Sequence, residues 1–341
     1  MIIHARAPVR LDFAGGWTDV APFATEERGA VVNAAIDLHA EVRVELGGDG
    51  YRLESTELGQ VVEARDPAEL EKDGRLDLIK AAVRMYAPGP CRVTTRSEAP
   101  PGSGLGSSGA MDVALVAAFE AAAGRSPGAA ELAERAWELE AVEARLPGGK
   151  QDQYGAAFGG WNALAFDGRA GDHEASRWVG STAVRRPVEL PAGFAEHLAD
   201  RILVCYTGRS RISGDTIARV MTRFVLRDPV VTATLHELAT VADEMARALE
   251  AGNLGAIGTL LGRNWALQQR LDVGMRTPEM AALEAAMFRA GALGGKAAGA
   301  GAGGTMFFLF DRPASLAAGA ARAAGATVLP LRWAAEGVKV W

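Results

Sequence analysis

The stretch from Pro100 to Ala110, Pro-Pro-Gly-Ser-Gly-Leu-Gly-Ser-Ser-Gly-Ala, has the residue types that meet an anion. Before it, Cys91–Ser97 alternates β-type residues and reads as a strand. After it, Ala110–Phe119 reads as a buried, Ala-rich helix. A glycine-rich turn opening a helix aims several backbone N–H groups at one spot, and the helix dipole adds positive charge there. Such a loop suits a phosphate chain, with serine hydroxyls to bond phosphate or ligate a metal. Its plainer reading is a tight strand-to-helix turn. Gly104–Gly109 also matches a dinucleotide fingerprint. No second strand ending in an acid follows about 20 residues on, so that reading lacks its context. Gly299–Gly304 contains a similar match but leads into a strand. A Walker A sequence is absent.

Three other constellations carry chemistry. Pro8–Asp19 takes a strand to Gly15-Gly16 and then presents Trp17, Thr18 and Asp19. A carboxylate and a hydroxyl beside an indole could grip a sugar, and Arg10 could offset phosphate charge. An Arg–Asp pair at a strand edge is the bland alternative. Glu140 precedes Gly148-Gly149-Lys150-Gln151-Asp152. Asp152 falls in the first turn of a short helix, as a cap or as a carboxylate aimed into a cleft. Glu140 is either a surface acid or a magnesium ligand, since magnesium takes hard oxygens. Finally, Arg209 and Arg211 follow a strand end and form a candidate anion site or a solvated loop. The five histidines make no metal pattern.

These residues must be positioned by an α/β framework. Ile2–Leu11 and Val31–Leu46 read as extended, Leu76–Tyr86 and Glu131–Leu146 as helices, and Trp161–Phe166 as a strand. A polar stretch from Asp167 to Arg186 is the candidate boundary, dividing 1–168 from 169–341. Beyond it, Ile202–Tyr206 reads as a buried strand. Helices follow near Ser213–Arg227, Val230–Glu250, Leu254–Leu271 and Pro278–Ala290. The strand Thr305–Phe310, a helix from Pro313 to Ala324 and a strand near Val328–Trp333 close the chain.

Composition narrows the function. At 341 residues, the chain is long enough for two domains. It is 49% hydrophobic and 23% charged, a globular balance. A net charge of -6 gives no general attraction to nucleic acid or anionic membrane. Apolar runs are too short to span a bilayer, and the N-terminus lacks a signal pattern. Cys91 and Cys205 read as buried thiols, which places the protein in a reducing cytoplasm.

Three motifs in order, Pro8–Asp19, Pro100–Ala110 and Gly294–Gly304, resemble those of the GHMP kinases. Within that superfamily, Gly149–Tyr154 followed by Phe158-Gly-Gly160, and Thr207–Arg211, look like the D-glycero-D-manno-heptose 7-phosphate kinases. Gly15–Asp19 instead looks like the L-fucokinases, because heptose kinases more often carry glycine where Trp17 stands. The resemblance implies an N-terminal domain like the second domain of ribosomal protein S5 and a ferredoxin-like C-terminal domain. It implies ATP and Mg2+ as cofactors and transfer to the anomeric hydroxyl of a sugar or sugar phosphate, with homo-oligomers possible. Asp152 falls at the catalytic carboxylate and Arg10 at the charge-offsetting position. Pro101, Gly102, Ser103, Gly104, Leu105, Gly106, Ser107 and Ser108 would wrap the ATP phosphates. Ser108 and Glu140 fall where relatives hold magnesium. Gly16, Trp17, Thr18 and Asp19 would hold the sugar, and Lys150, Arg209 and Arg211 a distal phosphate. A degenerate sensor would share this fold, but the chain keeps Asp152, Arg10, Ser108 and Glu140.

Overall fold

The structure, a computed structural model, describes residues 1–167, 182–208 and 214–341. The first half runs β1 (Ile2–Ala14), α1 (Phe23–Glu26), β2 (Arg28–Leu46), β3 (Tyr51–Ser55) and β4 (Gln60–Ala64). Then come α2 (Asp77–Tyr86), β5 (Cys91–Ser97), α3 (Ser107–Ala122), α4 (Ala129–Glu138), α5 (Gln151–Phe158), β6 (Trp161–Asp167) and β7 (Thr182–Pro187). The second half runs α6 (Phe194–Arg201), β8 (Ile202–Tyr206), α7 (Gly214–Val225), α8 (Pro229–Glu250), α9 (Leu254–Leu271) and α10 (Pro278–Arg289). It ends with β9 (Ala292–Ala297), β10 (Thr305–Phe310), α11 (Ala318–Ala323), β11 (Thr327–Leu329) and β12 (Lys339–Val340).

The large sheet has the order β12-β1-β2-β5-β3-β4, with β6 also on β2 and β7 on β6. Long strand β2 holds β5 at its C-terminal end and β6 at its N-terminal end. Under the sheet lies α3, buried continuously from Gly109 to Glu120. Apart from Asp112 and Glu120 this run is apolar on every side, so it has no solvent face to offer and becomes the core. The small sheet has the order β11-β8-β10-β9, all antiparallel. In its own strand numbers this is 4-1-3-2, the order of a ferredoxin-like β-α-β-β-α-β unit. Aromatic rings join the sheets: Phe13 of β1 lies 5.2 Å from Phe307 of β10 and 5.1 Å from Trp161 of β6.

Two expectations change. The helix read from Glu131 to Leu146 ends at Glu138 and continues as a π-helical turn, Leu139–Glu143. There the Ala144 N–H bonds the Leu139 carbonyl, five residues back. Such turns rotate side chains out of helical register, and Glu140 sits in this one. The polar stretch after Asp167 is not wholly irregular, because β7 pairs with β6 in the large sheet. Strand β12 also returns to β1. A division at 168/169 would leave β7 and β12, both C-terminal to it, in the large sheet. No helix among the described residues is long and apolar enough to cross a membrane.

Candidate active site

The ends of β1, α3, α5 and β9 meet at a cleft of about 520 Å³. Arg10, on β1, is the hub. Its Nε and Nη2 lie 2.8 and 2.7 Å from Asp152 Oδ1, and its Nη1 donates to the Gly104 and Ala298 carbonyls, both at 2.8 Å. One guanidinium thus ties together the glycine loop, the first turn of α5 and the end of β9. The planar fork of arginine suits this, sending Nε and Nη2 to one carboxylate and Nη1 to two carbonyls.

Asp152 reaches the cleft because Gly109 of α3 lets α5 approach. A Cβ at 109 would stand 2.5 Å from Asp152 Cβ. The start of α5 is fixed by Asn33, whose Nδ2 donates to the Gln151 carbonyl at 2.9 Å. Gly149 makes the same room for Asp19, since a Cβ there would meet Asp19 Oδ2 at 2.0 Å. Asp19 Oδ2 accepts the Gln151 N–H at 3.1 Å. Burial, above all, pushes the Asp19 carboxyl up to about 7; that N–H bond opposes the rise, and the charges of Asp152 and Asp12 add to it.

Glu140 faces the cleft from the π turn. Gln153 Nε2 donates to its Oε2 at 2.7 Å, and the Ser108 hydroxyl also bonds it. Burial, then the charge of Asp152, raises Glu140 to about 7. Ser108 and Glu140 are hard oxygen donors on one wall, a set that fits magnesium with its remaining positions left to phosphate and water. Among the described residues, no three His, Cys, Asp or Glu side chains could hold a metal unaided.

The glycine loop lines the opposite side. Residues 101–104 and 106–108 face the cleft, while Leu105 does not: its side chain is fully buried in the core and its carbonyl accepts the Arg10 N–H. The Ser103 and Ser107 hydroxyls are buried without a protein partner. Such orphaned groups beside a helix N-terminus are what a phosphate chain would satisfy. The third glycine segment is the β9–β10 hairpin tip, and Gly299, Gly301 and Gly303 line the cleft. The Thr305 N–H donates to the Ser103 carbonyl at 2.8 Å, locking this tip to the glycine loop.

The residues expected to hold a sugar divide. Gly16, Trp17 and Asp19 line the cleft. Trp17 adopts φ +85, a left-handed conformation that costs a side chain roughly 1–2 kcal/mol and that glycine takes freely. This explains why glycine suits the position. Here the indole Nε1 donates to the Ala300 carbonyl at 3.2 Å, anchoring the ring to the hairpin tip. Thr18 does not join the cleft lining. It is fully buried, and its hydroxyl holds the loop by bonding the Gly15 and Ala30 carbonyls and accepting the Ala30 N–H. Lys150 also turns away: its Nζ lies 2.6 Å from Glu134 Oε2 and 4.5 Å from the centre of the Trp137 ring. That carboxylate and that ring draw the cation off the substrate side. Arg209 and Arg211 lie outside the described residues.

Sequence reasoning missed Asp12, Gln151 and Lys296. Asp12 and Gln151 line the cleft, and Lys296 is buried beneath it. Asp12 had a signal, for it stands two residues after Arg10 on a strand and so shares its face.

The chain matches the GHMP kinases N terminal domain over residues 77–160 and the GHMP kinases C terminal domain over 245–327. It is 28% identical over 316 residues to a D-glycero-alpha-D-manno-heptose 7-phosphate kinase of Campylobacter jejuni, covering 91% of this chain and 89% of that protein. It is 26% identical to the L-fucokinase/L-fucose-1-P guanylyltransferase of Bacteroides fragilis, covering 92% of this chain but 35% of that longer protein. A crystal structure of a D-glycero-D-manno-heptose 1-phosphate kinase from Bacteroides thetaiotaomicron superposes with a TM-score of 0.77 at 25% identity, covering 99% of this chain and 98% of that one. The two-part architecture expected from the resemblance therefore holds.

Proposed function

We propose that this chain, which belongs to the GHMP kinases, moves the terminal phosphoryl group of ATP to the anomeric hydroxyl of a sugar. The observation that carries the reading is the Arg10–Asp152 pair, held at 2.7 Å where the glycine loop, the hairpin tip and the Gly15–Asp19 loop converge. Asp152, whose side chain is 24% exposed, orients the attacking hydroxyl and takes its proton. Arg10 offsets charge on the group in flight. The loop from Pro101 to Ser108, with the N–H groups of α3, seats the phosphates. Ser108 and Glu140 would hold Mg2+, which neutralises phosphate charge when bound. Gly16, Trp17 and Asp19 hold the sugar. Phosphoryl transfer needs positioning and charge compensation more than covalent help, and these residues supply both.

For the acceptor, the favoured reading is D-glycero-D-manno-heptose 7-phosphate. Its support is the similarity to the Campylobacter kinase along nearly the whole chain. A free sugar such as L-fucose is the second reading, and Trp17 favours it. Both buried cysteines are unpaired, in keeping with a reducing cytoplasm. The test is a screen of free sugars and sugar phosphates with ATP, the product's phosphorylation site being read by phosphorus NMR. Asp152→Asn should then cost about 10²–10⁴-fold in kcat with the fold intact. Near-normal kcat in a folded Asn variant removes Asp152 from the chemistry, and no turnover with any sugar refutes the assignment.

A further inference from the structure

We infer that Lys296, acting through Asp12, is a positioning residue of the transfer site; the inference rests on the kinase reading above. Lysine is among the residues least often buried, yet Lys296 is 0% exposed. Its ammonium lies 3.1 Å from Asp12 Oδ2 and donates to the Asp12 and Ala297 carbonyls at 2.6 and 2.8 Å. Two donors meet carbonyl oxygens, and the charge faces the Asp12 carboxylate. Asp12 is itself 1% exposed. Burial holds the lysine below its usual range, and the Asp12 charge pulls it back up.

A buried ion pair is poor evidence for stability, because apolar residues often replace one without loss. The location of this pair supplies another reason for it. The Ala298 carbonyl, two residues beyond Lys296, accepts from both Arg10 Nη1, at 2.8 Å, and the Asp12 N–H, at 3.2 Å. The ammonium thus pins β1 to β9 at the point from which the Arg10 guanidinium reaches Asp152. Lys296 itself lies behind the cleft wall and does not line it. Without it, Asp12 becomes a buried carboxylate with no cation. That uncompensated charge lowers stability, while the lost bond to the Asp12 carbonyl unpins the crossing, so that Arg10 and the hairpin tip shift.

The test separates fold from positioning and needs no sugar. The affinity of each protein for MgADP alone, and for MgADP with aluminium fluoride as a mimic of the phosphoryl group in flight, is measured by calorimetry, alongside Tm. Lys296→Met should lower Tm and weaken binding of the mimic roughly 100-fold, the scale of an ångström-sized misplacement, with MgADP affinity unchanged. Lys296→Met/Asp12→Asn leaves no unpaired buried charge. It should recover Tm and keep the defect toward the mimic. Recovery of both in the double variant would make the pair purely structural and overturn the inference. If neither methionine variant folds, Asp12→Asn alone, which leaves Lys296 its two carbonyls, decides by the same measurement: wild-type affinity for the mimic overturns the inference. A wild-type protein that binds the mimic yet phosphorylates no sugar would refute the acceptor assignment and not this role.

Discussion

Replacing Gly109 with alanine tests whether the approach of α3 to α5 sets the position of the acid. The added Cβ would stand 2.5 Å from Asp152 Cβ and 3.2 Å from the backbone of Asp152 and Gln153. Carbon atoms settle at about 3.5–4.0 Å. The two helices must therefore part by about 1 Å at Asp152, a displacement worth on the order of 100-fold in rate. The cost in stability is smaller. Overpacking costs about 1–3 kcal/mol, and alanine's helix preference returns about 0.5–1 kcal/mol, so the variant stays folded. Coupled detection of ADP at saturating ATP and sugar gives kcat, and thermal melting checks the fold. Gly262→Ala is the control. It lies in α9 with nothing within 4 Å of the new Cβ, so it should raise Tm slightly and leave kcat unchanged. Wild-type kcat in a folded Gly109→Ala variant would show that Asp152 tolerates displacement and that its placement is not what the cleft depends on.

Glu140→Gln should raise the magnesium requirement far more than the sugar KM, because a hard cation loses a charged oxygen; an unchanged magnesium titration would make Glu140 a structural residue of the π turn. Asp19→Asn should raise KM for the sugar and alter stability in a pH-dependent way. The native carboxyl is held near 7 against 3.8 when unfolded, so the wild type loses stability as pH rises from about 4 through 7. The Asn variant does not, and its advantage at pH 8 is at most about 4 kcal/mol, vanishing below pH 4; an offset in Tm that ignores pH would refute this. Arg209→Ala and Arg211→Ala should raise KM for a phosphorylated sugar, each lost charge-assisted contact costing roughly 1.5–3 kcal/mol, and leave its unphosphorylated analogue alone; equal effects on both would exclude a distal-phosphate role.

Much of the framework was legible because burial writes itself into strands and helices with clear periods. Strands Cys91–Ser97, Ile202–Tyr206 and Thr305–Phe310 and helix Leu254–Leu271 fall where the pattern puts them. The β3–β4 hairpin was not legible, since its outward faces carry Arg52, Glu54 and Glu63, and their ion pairs look in sequence like a charged loop. The site shows the sharper limit. Local chemistry marked the glycine loop, Arg10 and Asp152, but nothing local says that residues 142 positions apart share a bond of 2.8 Å. Thr18 and Lys150 mislead for the same reason. A hydroxyl and an ammonium look available in sequence and are claimed in the fold by Ala30 and Glu134. What a chain can offer a ligand depends on which polar groups the fold leaves unspent. In this cleft the described lining includes four acids; Lys296 faces Asp12 and Arg10 binds Asp152, while the described ion pairs include none for Asp19 or Glu140. A dication carried in with the nucleotide would relieve that excess, so nucleotide and metal should bind together and each should tighten the other.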